Sequence, residues 1–223
     1  MTLPKPKIVF FDWDGTLVDS FGFLHAAHNY ARKALGIPAF TLEDFAQHFG
    51  KPREMLYVKI YGDQGEEAKK HFEEYVTEHH VSHLKPLEGA EEVLQLLKHM
   101  KIPCGVVTNK KRAIVEAEIE NFEWGKYFDV VVGAADAAND KPAPDPLLLG
   151  ISRAEKGLEP QDVWFVGDTE NDTACSNAVG SKTILILDKE KEAEKATHIL
   201  GNYDIDLHLP NCKKFHEFLL QYA

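Results

Sequence analysis

Lys7-Ile8-Val9-Phe10-Phe11-Asp12-Trp13-Asp14-Gly15-Thr16-Leu17-Val18-Asp19-Ser20 is the stretch from which the fold can be read. Its first five residues form a short apolar run rich in β-formers. The run ends at an acid, which is the pattern of a buried strand whose carboxyl end meets a polar loop. In that loop two carboxylates, Asp12 and Asp14, stand at i and i+2. Open α/β sheets bind ligands at this end of their strands. Two like charges that close are costly unless a cation shares them, and an all-oxygen donor set suits Mg²⁺. Gly15 permits the tight backbone by which such a loop approaches a ligand.

Outward from this stretch, similar runs recur at 103–107 (PCGVV), 128–132 (FDVVV), 162–166 (DVWFV) and 183–187 (TILIL). Segments of helical periodicity, 90–100, 112–121, 144–156 and 171–179, lie between them. Alternating strand and helix predicts an α/β fold, a Rossmann-like parallel sheet with helices on both faces and right-handed crossovers. One interval breaks the alternation. From about Asp19 to Lys85 the only patterned stretches are helical, at 24–35, 53–61 and 66–83, punctuated by Gly36-Ile37-Pro38, Gly50-Lys51-Pro52 and Gly62. The expected division is therefore a core of residues 1–18 and 86–223 with an inserted α-helical cap at 19–85, its first helix capped by Asp19 and Ser20. In the tail, 189–195 reads as a charged helix-like run and 213–222 as a closing amphipathic helix.

Composition narrows the function. The 223 residues, 44% hydrophobic and 27% charged, suffice for a full core plus a smaller domain at roughly 150 residues per domain. A formal charge of −11 argues against nucleic acid, whose sequence-independent affinity comes from Lys and Arg. A small anion instead responds to the local field of its site, which a bound metal reverses. Cys104, Cys175 and Cys212 form no CxxC. An odd count without a secretory segment predicts reduced thiols and a cytoplasmic location. No apolar run approaches the ~18 residues of a membrane span.

Three more polar groups follow later strand candidates and so fall at the same sheet edge by topology. They are Thr108-Asn109-Lys110, then Lys141 in Asp140-Lys141-Pro142-Ala143-Pro144, then Gly167-Asp168-Thr169-Glu170-Asn171-Asp172. Carboxylates, a hydroxyl, an amide and a lysine at one edge are what phosphoryl transfer requires: a nucleophile, a cation, and donors for the equatorial oxygens.

In order and spacing these four segments resemble the four motifs of the haloacid dehalogenase superfamily: DxDGT, a Ser/Thr after the second strand, a Lys in a KPxP setting, and GDxxxD. The match covers Lys7 to about Leu187, and the insert resembles that superfamily's small α-helical cap. DGTLVDS, VVTNK, KPAPDPLLL and GDTENDTACSNAVG look closest to its phosphoglycolate-phosphatase-like branch. Trp13 stands where smaller apolar residues are typical, and the tail after Asp188 departs from that branch. The resemblance implies a Mg²⁺-dependent phosphatase acting on a small phosphorylated metabolite, as a monomer or homodimer, with no membrane partner. It makes Asp12 the nucleophile that becomes the acyl-phosphate. Asp14 is the acid, then the base, and ligates Mg²⁺ through its backbone carbonyl. Thr108 and Lys141 hold the phosphoryl, with Asn109 a further donor. Asp168 ligates the metal directly and Asp172 supports it. Lys51 and Arg53, on the turn that interrupts the cap, are candidates for gripping a remote anionic part of the substrate.

Other readings stand beside this one. A dehalogenase has no need of Asp14 or a metal; a phosphomutase uses the same site; a non-catalytic binding protein on this scaffold would be expected to have lost a reacting residue, and none is missing. Among eleven histidines, His79 and His83 have zinc-like spacing, yet His79 also shares a stripe with Ala68, Phe72, Tyr75 and Val76, which favours packing.

Overall fold

The computed structural model describes residues 3–48, 53–154 and 157–223, and for 53–56 the backbone alone. In chain order the regular elements are β1 (Ile8–Phe11), β2 (Val18–Asp19), α1 (Phe21–Ala34), α2 (Leu42–Ala46), α3 (Arg53–Tyr61), α4 (Gly65–His83), β3 (Lys85–Pro86), α5 (Ala90–His99), β4 (Cys104–Lys111) and α6 (Arg112–Asn121). They continue with β5 (Val130–Ala134), α7 (Asp145–Ala154), β6 (Val163–Gly167), α8 (Glu170–Val179), β7 (Lys182–Ile186), α9 (Ala193–Asn202), β8 (Leu207–Leu209) and α10 (Cys212–Leu219). The chain divides into two compact units, Met1–Val18 with Pro86–Ala223, and Asp19–Lys85.

The first unit is built on a six-stranded sheet in the order β5-β4-β1-β6-β7-β8, parallel at every pairing. This is the α/β fold that the alternating pattern predicts. From β1 the chain goes to β4 and β5 on one side and later to β6, β7 and β8 on the other, so β1 lies at the switch point of the sheet. All four of its residues are buried, as a central parallel strand covered on both faces requires.

The two-residue period sorts those side chains onto opposite faces. Ile8 and Phe10 pack with Val163, Phe165, Leu147 and Cys175, the last two from α7 and α8. Phe11 and Trp164 meet the Phe215 ring of α10, each with centroids 6.4 Å away. Phe10 lies where two glycines leave room. A Cβ on Gly105 would overlap its ring, and one on Gly150 would come within 3.0 Å of Cε1.

Sequence and structure differ at several points here. The run at 103–107 extends as β4 to Lys111, because pairing with β5 resumes at Lys111↔Ala134 after a register irregularity beyond Val107↔Val132. β8 was not anticipated, since three residues among charged neighbours carry no usable period. The charged run at 189–195 contributes only the start of α9, which begins at Ala193.

The second unit holds α1 to α4. Its core is aromatic around His28, whose Nδ1 lies 2.9 Å from Tyr61 Oη and whose ring is 4.6 Å from that of Phe72 and 5.5 Å from that of Phe45. His79 rests on Tyr75 at 4.5 Å. Ser20 occupies the N-cap position of α1, but its hydroxyl makes no capping bond. Among the described residues no helix is long and apolar enough to cross a membrane.

Phe10 is fully buried beneath the loop that begins at Asp12. Phe10→Ala is expected to lower stability by about 3–5 kcal/mol, the usual cost of an aromatic-to-alanine cavity in a packed core. Urea unfolding monitored by far-ultraviolet circular dichroism measures it; a loss under about 1 kcal/mol would show that the two glycines let the core collapse into the space.

Candidate active site

β1 ends at Phe11 and hands the chain to a tight loop. Asp12 N donates to Val166 O of β6 at 2.8 Å, and the amides of Leu17 and Val18 both donate to Trp13 O at 3.0 and 3.1 Å. Gly15 turns at φ +85°, and a Cβ there would stand 2.7 Å from Asp168 Oδ2. Both the left-handed backbone and the close approach exclude a side chain. Thr16 Oγ1 then donates to Asp168 Oδ1 at 3.1 Å, tying this loop to the end of β6.

Asp168 directly follows β6, and Asp172 is the third residue of α8. Thr169 and Asp172 form a capping box at the start of that helix, in which Thr169 N and Oγ1 donate to Asp172 Oδ2 at 3.0 and 2.6 Å. The cap fixes the side chain, leaving Oδ1 directed at Lys141 Nζ, 2.6 Å away.

Lys141 comes from the loop between β5 and α7. Its ammonium also donates to Asp12 Oδ1 at 2.7 Å and to Val107 O at 2.9 Å. Its backbone is gripped from both sides by Asn109, whose Nδ2 donates to Lys141 O at 2.8 Å while Oδ1 accepts from Lys141 N at 2.9 Å. The Asn109 amide is thereby engaged in holding Lys141. Thr108, buried at the same end of β4, accepts from Lys110 N at 3.2 Å.

The structure thus brings together Asp12, Asp168, Asp172 and Lys141, with Thr108 and Asn109 on the adjoining strand. Carboxylate oxygens of Asp12, Asp168 and Asp172 all lie within 4.8 Å of one another. Lys51 lies outside the described residues, and of Arg53 only the backbone at the start of α3 is described. Three groups escaped sequence reasoning. Lys110 Nζ donates to Asp14 Oδ1 at 2.8 Å and to Glu118 Oε2 at 2.9 Å. Lys195 of α9 donates to Asp168 Oδ2 at 3.2 Å and to Glu192 Oε2 at 3.2 Å. Lys110 was visible beside Thr108, but nothing marks Glu118 on its helix or Lys195 in the tail.

Crowding of buried charge governs the electrostatics. Burial pushes the Asp12 carboxyl up to about 7; Lys141 opposes this, while Asp172 and Asp168 add to it. Asp168 is likewise raised by burial to about 6, against the pull of Lys195. Burial weakens the Lys141 ammonium, yet Asp12 and Asp172 more than offset that and hold its pKa above the ordinary lysine value. Three close carboxylates, with oxygen as their only donor atom, fit a hard divalent cation; among the described residues Asp12, Asp168 and Asp172 are the side chains grouped to hold one.

Fold and site together match a known class. Residues 9–186 fit the model of the haloacid dehalogenase-like hydrolases, and the chain belongs to that family. It is 33% identical over 201 residues, 79% of each chain, to a phosphoglycolate phosphatase of Escherichia coli K12. To a protein of Caldanaerobacter subterraneus named as a candidate pyrophosphatase it is 31% identical over 183 residues, 82% of each chain. Its fold resembles that of a haloacid dehalogenase-like hydrolase from Streptococcus pneumoniae, with a TM-score of 0.82, 23% identity, and 97% and 99% of the two chains covered.

Gly15→Ala tests how tightly the loop is held. A left-handed non-glycine residue costs roughly 1–2 kcal/mol, and here the added methyl also meets Asp168. Chemical denaturation is expected to show a loss of about 1–2 kcal/mol or more; an unchanged midpoint would mean the loop relaxes freely.

Proposed function

We propose that this enzyme is a Mg²⁺-dependent phosphatase that hydrolyses a small phosphorylated metabolite, phosphoglycolate-like or a sugar phosphate, through an aspartyl-phosphate on Asp12. The observation that carries this reading is the cluster of Asp12, Asp168 and Asp172 within 4.8 Å, with the Lys141 ammonium bonded to two of them at the switch point of a parallel sheet. The phosphatase names of the relatives support it.

Asp12 attacks phosphorus, and the bond from phosphorus to the leaving oxygen breaks as the bond to the Asp12 carboxylate forms. Asp14, one residue beyond Trp13 and partly open to solvent, gives a proton to the leaving oxygen. It then takes a proton from the water that attacks the acyl-phosphate, which releases inorganic phosphate and restores Asp12. Lys141, fixed by Asn109 and Val107, favours the ionised form of Asp12 against the burial that raises its pKa and presents positive charge to the transferring phosphoryl; Thr108 contributes its hydroxyl there. Bound Mg²⁺ would supply charge neutralisation for the phosphoryl oxygens, held by Asp12, Asp168 and Asp172.

Asp12→Asn keeps the shape and removes the attacking charge. Turnover of the best substrate in a panel of phosphorylated metabolites is expected to fall by ~10³ or more, roughly 4 kcal/mol of barrier, with the fold intact. Retention of more than about a tenth of the activity would falsify the nucleophile assignment.

The metal makes a separate demand. EDTA is expected to abolish activity, Mg²⁺ to restore it and Ca²⁺ to inhibit, since its looser coordination spoils in-line geometry. By calorimetric titration Asp168→Ala is expected to weaken Mg²⁺ binding more than Asp172→Ala, because the Asp172 oxygens are held more closely, by Lys141 and Thr169 at 2.6 Å each, than those of Asp168, by Thr16 and Lys195 at 3.1 and 3.2 Å. Undiminished activity after chelation sinks the metal reading.

A further inference from the structure

The site contains a second buried lysine that the reaction scheme leaves unused. Lys110 is almost fully buried, and its ammonium spans Asp14 Oδ1 at 2.8 Å and Glu118 Oε2 at 2.9 Å. Glu118 projects from α6 with no exposure at all. The same oxygen, Oε2, also accepts from the Trp13 indole Nε1 at 2.5 Å. One buried oxygen therefore fixes two consecutive residues of the loop: Trp13 directly, and Asp14 through Lys110.

Packing alone does not call for this arrangement. Trp13 is already enclosed by aromatic rings, with Trp124, Phe128 and Phe122 at centroid distances of 5.9, 6.1 and 6.3 Å. A smaller apolar residue would leave no indole N–H to satisfy and no need for an acid beneath the loop. A buried ion pair is weak evidence for stability, because desolvation consumes most of the attraction. What the network does accomplish is orientation. The Asp14 side chain, 21% exposed, sits on a loop, and a general acid must point at one oxygen to be effective. Lys110 is itself held at the backbone through Thr108 Oγ1, so both ends of the link are anchored.

We propose that Glu118 and Lys110 are positioning residues that aim Asp14 at the leaving oxygen, so that their contribution grows with the basicity of the leaving group. The inference rests on the phosphatase reading above and deepens it: the enzyme is built for phosphate esters of poor leaving groups, alkyl rather than activated aryl phosphates. A 4-nitrophenolate departs as an anion and draws little on the acid. Phenolate needs it more, and an alkoxide cannot leave without it.

The experiment compares kcat/KM with saturating Mg²⁺ for 4-nitrophenyl phosphate, phenyl phosphate and glycerol 3-phosphate. This parameter reports the transfer to Asp12, the half-reaction in which Asp14 acts as acid. Glu118→Gln keeps the size of the side chain and its bond to Trp13 while removing the charge that fixes Lys110. It is expected to lower kcat/KM for the alkyl ester by ~10-fold or more, for phenyl phosphate by an intermediate amount, and for 4-nitrophenyl phosphate by less than ~3-fold. Lys110→Met breaks the link from the other side and should give the same graded loss, and it serves alone if the glutamine variant does not fold. The double variant should lose no more than the worse single one, since both cut one chain of contacts. A loss of equal size on all three esters overturns the proposal and makes the network merely structural, with the phosphatase reading untouched. If the wild-type enzyme turns over none of the three while Mg²⁺ is bound, both fall together.

Discussion

The buried ion pairs of Lys141 with Asp12 and Asp172 are the constraint on which the rest of the site depends. Three carboxylates this close, with little water to shield them, repel strongly at the low effective dielectric of an interior. One ammonium bonded to two of them lets the third remain nearby. The theme repeats around it. Lys110 sits between Asp14 and Glu118, and Lys195 between Asp168 and Glu192. Each lysine thus links an acid of the site to a second acid. None of these pairs is a strong source of stability, since desolvation of both partners offsets most of the gain. Their effect is to hold carboxylates in fixed directions while leaving an excess of negative charge for a cation to fill.

Topology makes that concentration of charge possible. Asp12 follows β1, Thr108 and Asn109 lie in the second half of β4, Lys141 follows β5, and Asp168 follows β6, so four neighbouring strands deliver polar groups to one edge. β1 is the strand from which the chain order departs in both directions, where the connecting loops diverge and leave room for a ligand. The apolar residues before each polar one anchor it. Phe10 and Phe11 face opposite sides of the sheet and are buried on both, so the residue after them cannot shift without unpacking either layer.

The sheet and the acids that gather around Lys141 at its edge were legible in the sequence because both are local signals. A five-residue apolar run ending in an acid identifies a strand and its functional end together, and four further short apolar runs alternating with helical segments predict the parallel sheet. The parts that were missed depend on contacts between distant segments. Glu118 is one acid on a helix rich in acids, and only the approach of Trp13 and Lys110, more than a hundred and eight residues away respectively, sets it apart. Lys195 belongs to a run of alternating lysine and glutamate that reads as solvated helix. β8, with three half-buried residues, is defined by its pairing with β7 rather than by any period of its own. The extension of β4 past Val107 depends in the same way on its partner strand.

That division has a physical basis. Residues that touch the reacting phosphoryl are limited to a few chemical types at fixed distances from strand ends, so their order and spacing carry information. Residues that support them need only reach the right atom, and many positions on a helix or in a tail can do so. Trp13 illustrates the consequence. A large indole between the two catalytic candidates requires an acceptor for its N–H, the acceptor found is a fully buried acid, and a buried acid requires a cation. Lys110 meets that requirement and, in meeting it, reaches Asp14. A single departure from the expected side chain therefore leads, through successive demands for hydrogen bonds and charge balance, to the group that the proposed chemistry most needs oriented.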